Sequence, residues 1–180
     1  MADKRKLRGK AKRASYFIRS ASGEFIYQGP LYEARQKGKI TPERALTLRW
    51  IMGFVITALW LVEGCMSVPG MNGSALVLPF YVAGLISGAM LFWAAMQMGF
   101  KCAPLREYVY DATVKQFPIR TMAVAICAGL TLIGEGICLA LNGVGRAAPA
   151  MIVLFFLFLA VILALSILWY CMERQFFGEK

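Results

Sequence analysis

Residues 151–171 read "MIVLFFLFLAVILALSILWYC" and contain neither a charge nor a glycine. A helix rises about 1.5 Å per residue, so ~20 residues cross the ~30 Å of a bilayer's hydrocarbon. A helix on the surface of a soluble domain would reserve one face for water, and this stretch has no such face. It predicts a membrane span, which we bound as Pro149–Cys171. Three further stretches of similar length carry at most one charge each: Trp50–Val68, Leu76–Met98 and Met122–Leu141. The whole chain is 59% hydrophobic, against about 45–50% in soluble domains. Its 180 residues leave room for one ordinary domain. The fold class that follows is an all-α membrane protein. It is a bundle of four transmembrane helices with a small cytoplasmic N-terminal region.

Charge orients the bundle. Of 20 Lys and Arg, 13 lie in residues 1–49. Lys101, Arg106, Lys115 and Arg120 lie between the second and third spans, and Arg174 and Lys180 follow the fourth. Only Arg146 falls in the other two connections. Basic segments stay in the cytoplasm, so both termini and the middle loop are expected there, in a plasma or inner membrane. The organisation is then a cytoplasmic segment 1–49, a transmembrane hairpin 50–98, a cytoplasmic loop 99–121, a second hairpin 122–171 and a tail 172–180. The outer loops, Pro69–Ala75 and Asn142–Ala148, are too short for an outer domain. Mostly polar sequence separates the basic start from the first apolar run, which argues against a cleavable signal peptide.

The cytoplasmic segments hold most of the specific chemistry. Lys4, Arg5, Lys6, Arg8, Lys10, Lys12 and Arg13 form a basic tail suited to anionic headgroups. No nucleic-acid-reading module accompanies it. Tyr16–Ile18 and Phe25–Tyr27 flank a Ser-Ala-Ser-Gly turn, the pattern of a β-hairpin. A lone two-stranded hairpin is marginal in water, so it must pack on the membrane surface, the middle loop or a partner. Thr41, Pro42 and Glu43 are good helix-opening residues, and that helix is expected to run on into the first span, with Arg49 and Trp50 at headgroup level. In the middle loop, Leu105, Tyr108, Val109 and Ala112 share one helical face. They predict a short interfacial amphipathic helix closed by Pro118.

The unexpected residues are two acids inside apolar runs. Glu63-Gly64 sits in the first span and Glu135-Gly136 in the third. At an offset of 72 residues these pairs align, as do Gly73 with Gly145 and Ala75 with Ala147. A slightly longer offset aligns Trp93 with Trp169, Met96 with Met172 and Phe100 with Phe176. This is the trace expected of a tandem repeat of a two-helix hairpin. An ionised acid at a span's centre costs about 2.5–3.5 kcal/mol on insertion scales. Each Glu could glue helices by hydrogen bonding, with Gly64, Gly134 and Gly136 allowing close approach. The pair could instead titrate along an ion or proton path, or sit hydrated near the headgroups. Gly84 and Gly88 form a G-x-x-x-G, which predicts close helix packing within the bundle or between copies. Helix four has few small residues in its middle, Ala160 and Ala164 among them, and is expected to present a bulky wall to lipid.

Catalysis and cofactors find no support. The chain has no histidine, and its five cysteines form no C-x-x-C. That leaves no metal set, no cofactor and no recognisable base with an oxyanion site. The expected role is a non-catalytic accessory or scaffold subunit, docking a membrane or cytoplasmic partner through the N-terminal region. The alternative is a small oligomeric transporter or channel, proton- or cation-linked, using Glu63 and Glu135.

Overall fold

The computed structural model describes residues 16–20, 23–29, 31–32, 42–71, 74–97, 105–143 and 148–176. The basic tail from Lys4 to Arg13, the Thr41 cap and Arg146 lie outside them. In chain order the elements are β1 (Phe17–Arg19), β2 (Phe25–Tyr27), β3 (Leu31–Tyr32), α1 (Pro42–Gly64), α2 (Leu78–Gln97), β4 (Leu105–Arg106), α3 (Glu107–Ala112), α4 (Phe117–Asn142) and α5 (Pro149–Phe176). Helices α1, α2, α4 and α5 are each long and apolar enough to cross a membrane.

Their boundaries differ from the sequence reading for local reasons. α1 does begin at Pro42 and continues unbroken into the apolar run. It stops at Gly64 rather than Val68, because Cys65 and Met66 donate to the carbonyls of Val62 and Glu63, three residues back. Such tight bonds close a last turn and release the chain. α4 begins at Phe117, well before the expected Met122. Pro118 opens this helix and does not close the one before it. A first-turn proline forfeits no helical bond, since that N–H has no partner anyway. The expected interfacial helix is correspondingly short. Leu105 and Arg106 are extended and pair antiparallel with Tyr32 and Leu31, leaving Glu107–Ala112 as the α-helical part, followed by a 3₁₀ turn at Val114–Gln116.

The core is read from the steps between buried residues. On α4 they are Phe117, Thr121, Val124, Ala128, Thr131, Glu135 and Cys138, alternately four and three apart. On α2 they run Tyr81, Gly84, Gly88, Leu91 and Ala95. On α5 they run Ile152, Phe155, Leu159, Ile162, Ser166 and Trp169. This is the 3.5-residue period of helices packed in a left-handed bundle. α4 is the hub, packing on α5 and α2, while α1 packs on α2 and α5. The other faces are also apolar: Ile86, Trp93, Ile126, Ile133, Val153 and Leu157 are all exposed. Helices that are apolar all round suit a hydrocarbon surround.

One expectation needs correction here. α5 is not simply a lipid-facing wall. Its large side chains Phe155, Leu159, Ile162 and Trp169 are fully buried, while Ala160 and Ala164 face outward. The reason is volume: α4 offers small residues along its seam, and α5 supplies the bulk that fills the space beside them. Arg49 lies near the start of α1 and is 4% exposed, with its guanidinium carbon 6.0 Å from the centre of the Phe117 ring. A guanidinium stacked on an aromatic face can be held inside a bundle end where an ammonium could not.

A hairpin is present, with its first strand at Phe17–Arg19, one residue later than the Tyr16–Ile18 read from sequence. β1 and β2 pair antiparallel, Phe17 with Tyr27, Ile18 with Ile26 and Arg19 with Phe25. Gly23 takes φ 87°, a left-handed turn that a side chain would oppose. Tyr27 packs edge-on to Phe17 and Tyr16. The chain then continues to β3, whose pairing with β4 ties the N-terminal region to the middle loop.

Candidate functional site

The two glutamates lie toward the same end of the bundle, away from the β-strands. Both are fully buried. The surroundings of Glu135 are built by described residues of the α1–α2 connector. Pro69–Met71 forms a single 3₁₀ turn that packs on α4, and Val68, Gly70 and Val77 are buried.

Glu135 holds that connector. Its Oε1 accepts the Gly70 N–H at 3.2 Å, a contact between residues 65 apart in sequence. Glycine at position 70 lets the turn come this close, because a Cβ there would displace Glu135 Oε2 and press on Val77. One residue earlier on α4, Gly134 lies against the Leu76 carbonyl, where a Cβ would also collide. One turn later, Cys138 Sγ lies 3.1 Å from Ser74 Oγ, and that hydroxyl accepts the Leu76 N–H at 3.2 Å. Gly134, Glu135 and Cys138 thus form one docking face for the connector. Glu135 Oε2 has no hydrogen-bond partner among the described residues.

Glu63 has a different setting. It is the penultimate residue of α1, and neither carboxyl oxygen has a partner among the described residues. An anion there would also sit at the negative end of the helix dipole. Close by, the Tyr81 hydroxyl donates to the Trp60 carbonyl at 2.8 Å. It lies against Gly64, where a Cβ would overlap the Tyr81 oxygen. The Trp60 ring lies edge-on to Tyr81, 5.5 Å between centroids. The same indole fills the notch cut by Gly84 and Gly88. The G-x-x-x-G is therefore occupied within the chain, by an aromatic side chain of α1. Trp60 Nε1 has no partner among the described residues.

Of the glycines read as packing residues, Gly64, Gly84 and Gly88 make close contacts and Gly136 does not: nothing lies within 4 Å of where its Cβ would be. The close approach on that helix belongs to Gly134. No family model, curated protein or solved structure matches the chain. The site must therefore be judged on its chemistry. Among the described residues no three His, Cys, Asp or Glu side chains are grouped to hold a metal ion. One carboxyl accepts a backbone N–H and the other is enclosed with no hydrogen-bond partner among the described residues. Tyr81, Gly70 and the Ser74–Cys138 pair were not singled out from sequence, since each acquires meaning only across helices.

Proposed function

We propose that this chain is a multi-pass integral membrane protein of the plasma or inner membrane, with both termini cytoplasmic. In this reading it acts without catalysis, as an accessory or scaffold subunit that presents its N-terminal hairpin to a protein partner. The observation that carries the reading is the hairpin's apolar surface. Ile18 and Ile26 are paired across the strands yet 50% and 51% exposed, and Phe25 is 72% exposed. Two strands showing apolar side chains on both faces need a cover. The pairing of β3 with β4 ties the segment that follows the hairpin to the middle loop. A photo-crosslinking side chain at position 18 or 26 of the full chain, activated in native membranes, tests the idea. A discrete protein adduct, lost with Phe25→Asp, supports docking. Lipid adducts alone would mean that the hairpin lies on the bilayer instead.

One observation favours a second reading. A fully buried carboxyl whose two oxygens have no partner among the described residues is costly to keep. Ion or proton handling would justify it, in a small oligomeric transporter or channel using Glu63 and Glu135. Reconstituted vesicles carrying a pH-reporting dye distinguish the two. The double variant Glu63→Gln, Glu135→Gln abolishes proton-coupled flux if the second reading holds. It leaves hairpin crosslinking unchanged if the first does.

A further inference from the structure

On the outer wall of the bundle, Ile86, Ala89, Met90 and Trp93 of α2 meet Arg120 of α4 around an open cleft of about 390 Å³. The cleft is open along one side, so it would hold a ligand against the wall of the bundle. Four of the five lining residues are apolar, and Ile86, Met90 and Trp93 are spaced to form one stripe along α2. Arg120 is the single charge. Its Nη1 donates to the Met90 carbonyl at 3.2 Å and its Nη2 to Gln116 Oε1 at 2.8 Å. These bonds hold the guanidinium beside the cleft without neutralising it. A guanidinium carries five N–H donors, so three are left over. Among the described residues, no carboxylate is hydrogen-bonded to it.

We propose that this cleft binds one anionic phospholipid, its phosphate on Arg120 and an acyl chain along Ile86, Met90 and Trp93. The charge pattern selects this occupant: a fixed cation beside an apolar stripe, held to the Met90 carbonyl, matches a molecule with one anion and a long hydrocarbon. Arg120 is in the first turn of α4, at the bundle end flanked by the basic segments, where a span leaves hydrocarbon for headgroups. The positive end of the α4 dipole adds to its field. A zwitterionic headgroup brings its own cation and has less to gain. The site is separate from the N-terminal basic tail. The proposal rests on the membrane reading but not on the scaffold reading.

Brominated lipids test it, because bromine quenches tryptophan on contact. Trp60 and Trp169 are fully buried and Trp50 is half-buried, whereas Trp93 is 63% exposed. The full chain is reconstituted in phosphatidylcholine with an equal small fraction of brominated phosphatidylglycerol or brominated phosphatidylcholine. The emission lost in Trp93→Phe identifies the Trp93 signal. The phosphatidylglycerol should act at Trp93 as though enriched about fivefold, the equivalent of ~1 kcal/mol for one basic residue. Arg120→Gln should remove that preference, and Arg120→Lys should keep part of it. Equal quenching by the two lipids overturns the proposal. So does a preference that survives Arg120→Gln, which would assign it to the basic tail. Absence of quenching by either lipid at any fraction overturns the membrane reading itself.

Discussion

Glu63-Gly64 and Glu135-Gly136 are the same dipeptide near the same end of the bundle, and their neighbours use them in opposite ways. At the first, the glycine does the packing: Tyr81 lies where a Cβ would go, and the acid has no partner among the described residues. At the second, the acid does the packing: Glu135 accepts the Gly70 N–H, while Gly136 faces open space. The difference comes from what each helix meets. α4 receives the folded connector on its Gly134, Glu135 and Cys138 face, so a hydrogen-bond donor is delivered to the carboxyl. α1 ends beside the pair and meets the ring of Tyr81 instead. Sequence alignment of the two halves matches the residues without matching their roles.

The sharpest way to break this contrast is to push the connector off α4. Gly134→Val drives a branched side chain into the Leu76 backbone carbonyl, which cannot move without lifting the connector. The expected loss is about 3 kcal/mol of stability, the upper part of the usual overpacking range. Thermal unfolding in detergent micelles reads it. Next in size is Glu135→Ala, which strands the buried Gly70 N–H and should cost about 2 kcal/mol. Glu135→Gln keeps an acceptor at the same place and should recover most of that loss. If Ala and Gln behave alike, the Gly70 bond does not hold the connector. Tyr81→Phe keeps the ring against Gly64 and deletes only the bond to the Trp60 carbonyl, for an expected cost of about 1 kcal/mol.

How far these contacts could be foreseen depends on what the solvent does to a pattern. The four long helices were legible because hydrocarbon demands length and apolarity, and both are written along the chain. The inward faces were not, because Ile119, Met122, Ile126 and Ile133 are as apolar as the buried Val124 and Ala128. Water marks the outside of a soluble helix with polar residues, and lipid leaves no such mark. The remaining cue was size, and it misled at α5, where the large residues turned out to be inside. The hairpin was legible from its turn and its aromatic runs, a local signal. The pairing of β3 with β4 joins residues far apart, and two-residue strands carry no pattern of their own. The same holds for the connector clamp: nothing near Glu135 in sequence announces Gly70.

Two substitutions of small expected effect sharpen the comparison further. Gly136→Ala adds a methyl where nothing lies within 4 Å and removes a flexible residue from a helix interior. It should stabilise by about 0.5 kcal/mol, whereas Gly64→Ala collides with Tyr81 and should destabilise. Equal effects at the two glycines would mean that the pairs are packed alike after all.

The smallest effect is expected at Glu63→Gln. The side chain keeps its shape, and no hydrogen bond is exchanged because none is made among the described residues. Stability in micelles should therefore move by less than about 0.5 kcal/mol. A larger loss would carry information in its own right. It would show that the charge of Glu63 is in use, held by a cation or a titrating proton that the amide cannot replace. Adding a monovalent salt series separates those cases: a bound cation raises the unfolding temperature of the parent chain as its concentration rises and leaves Glu63→Gln unmoved. A parent chain indifferent to salt and to the substitution makes Glu63 a packing residue, and the two Glu-Gly pairs then differ only in which member bears the contact.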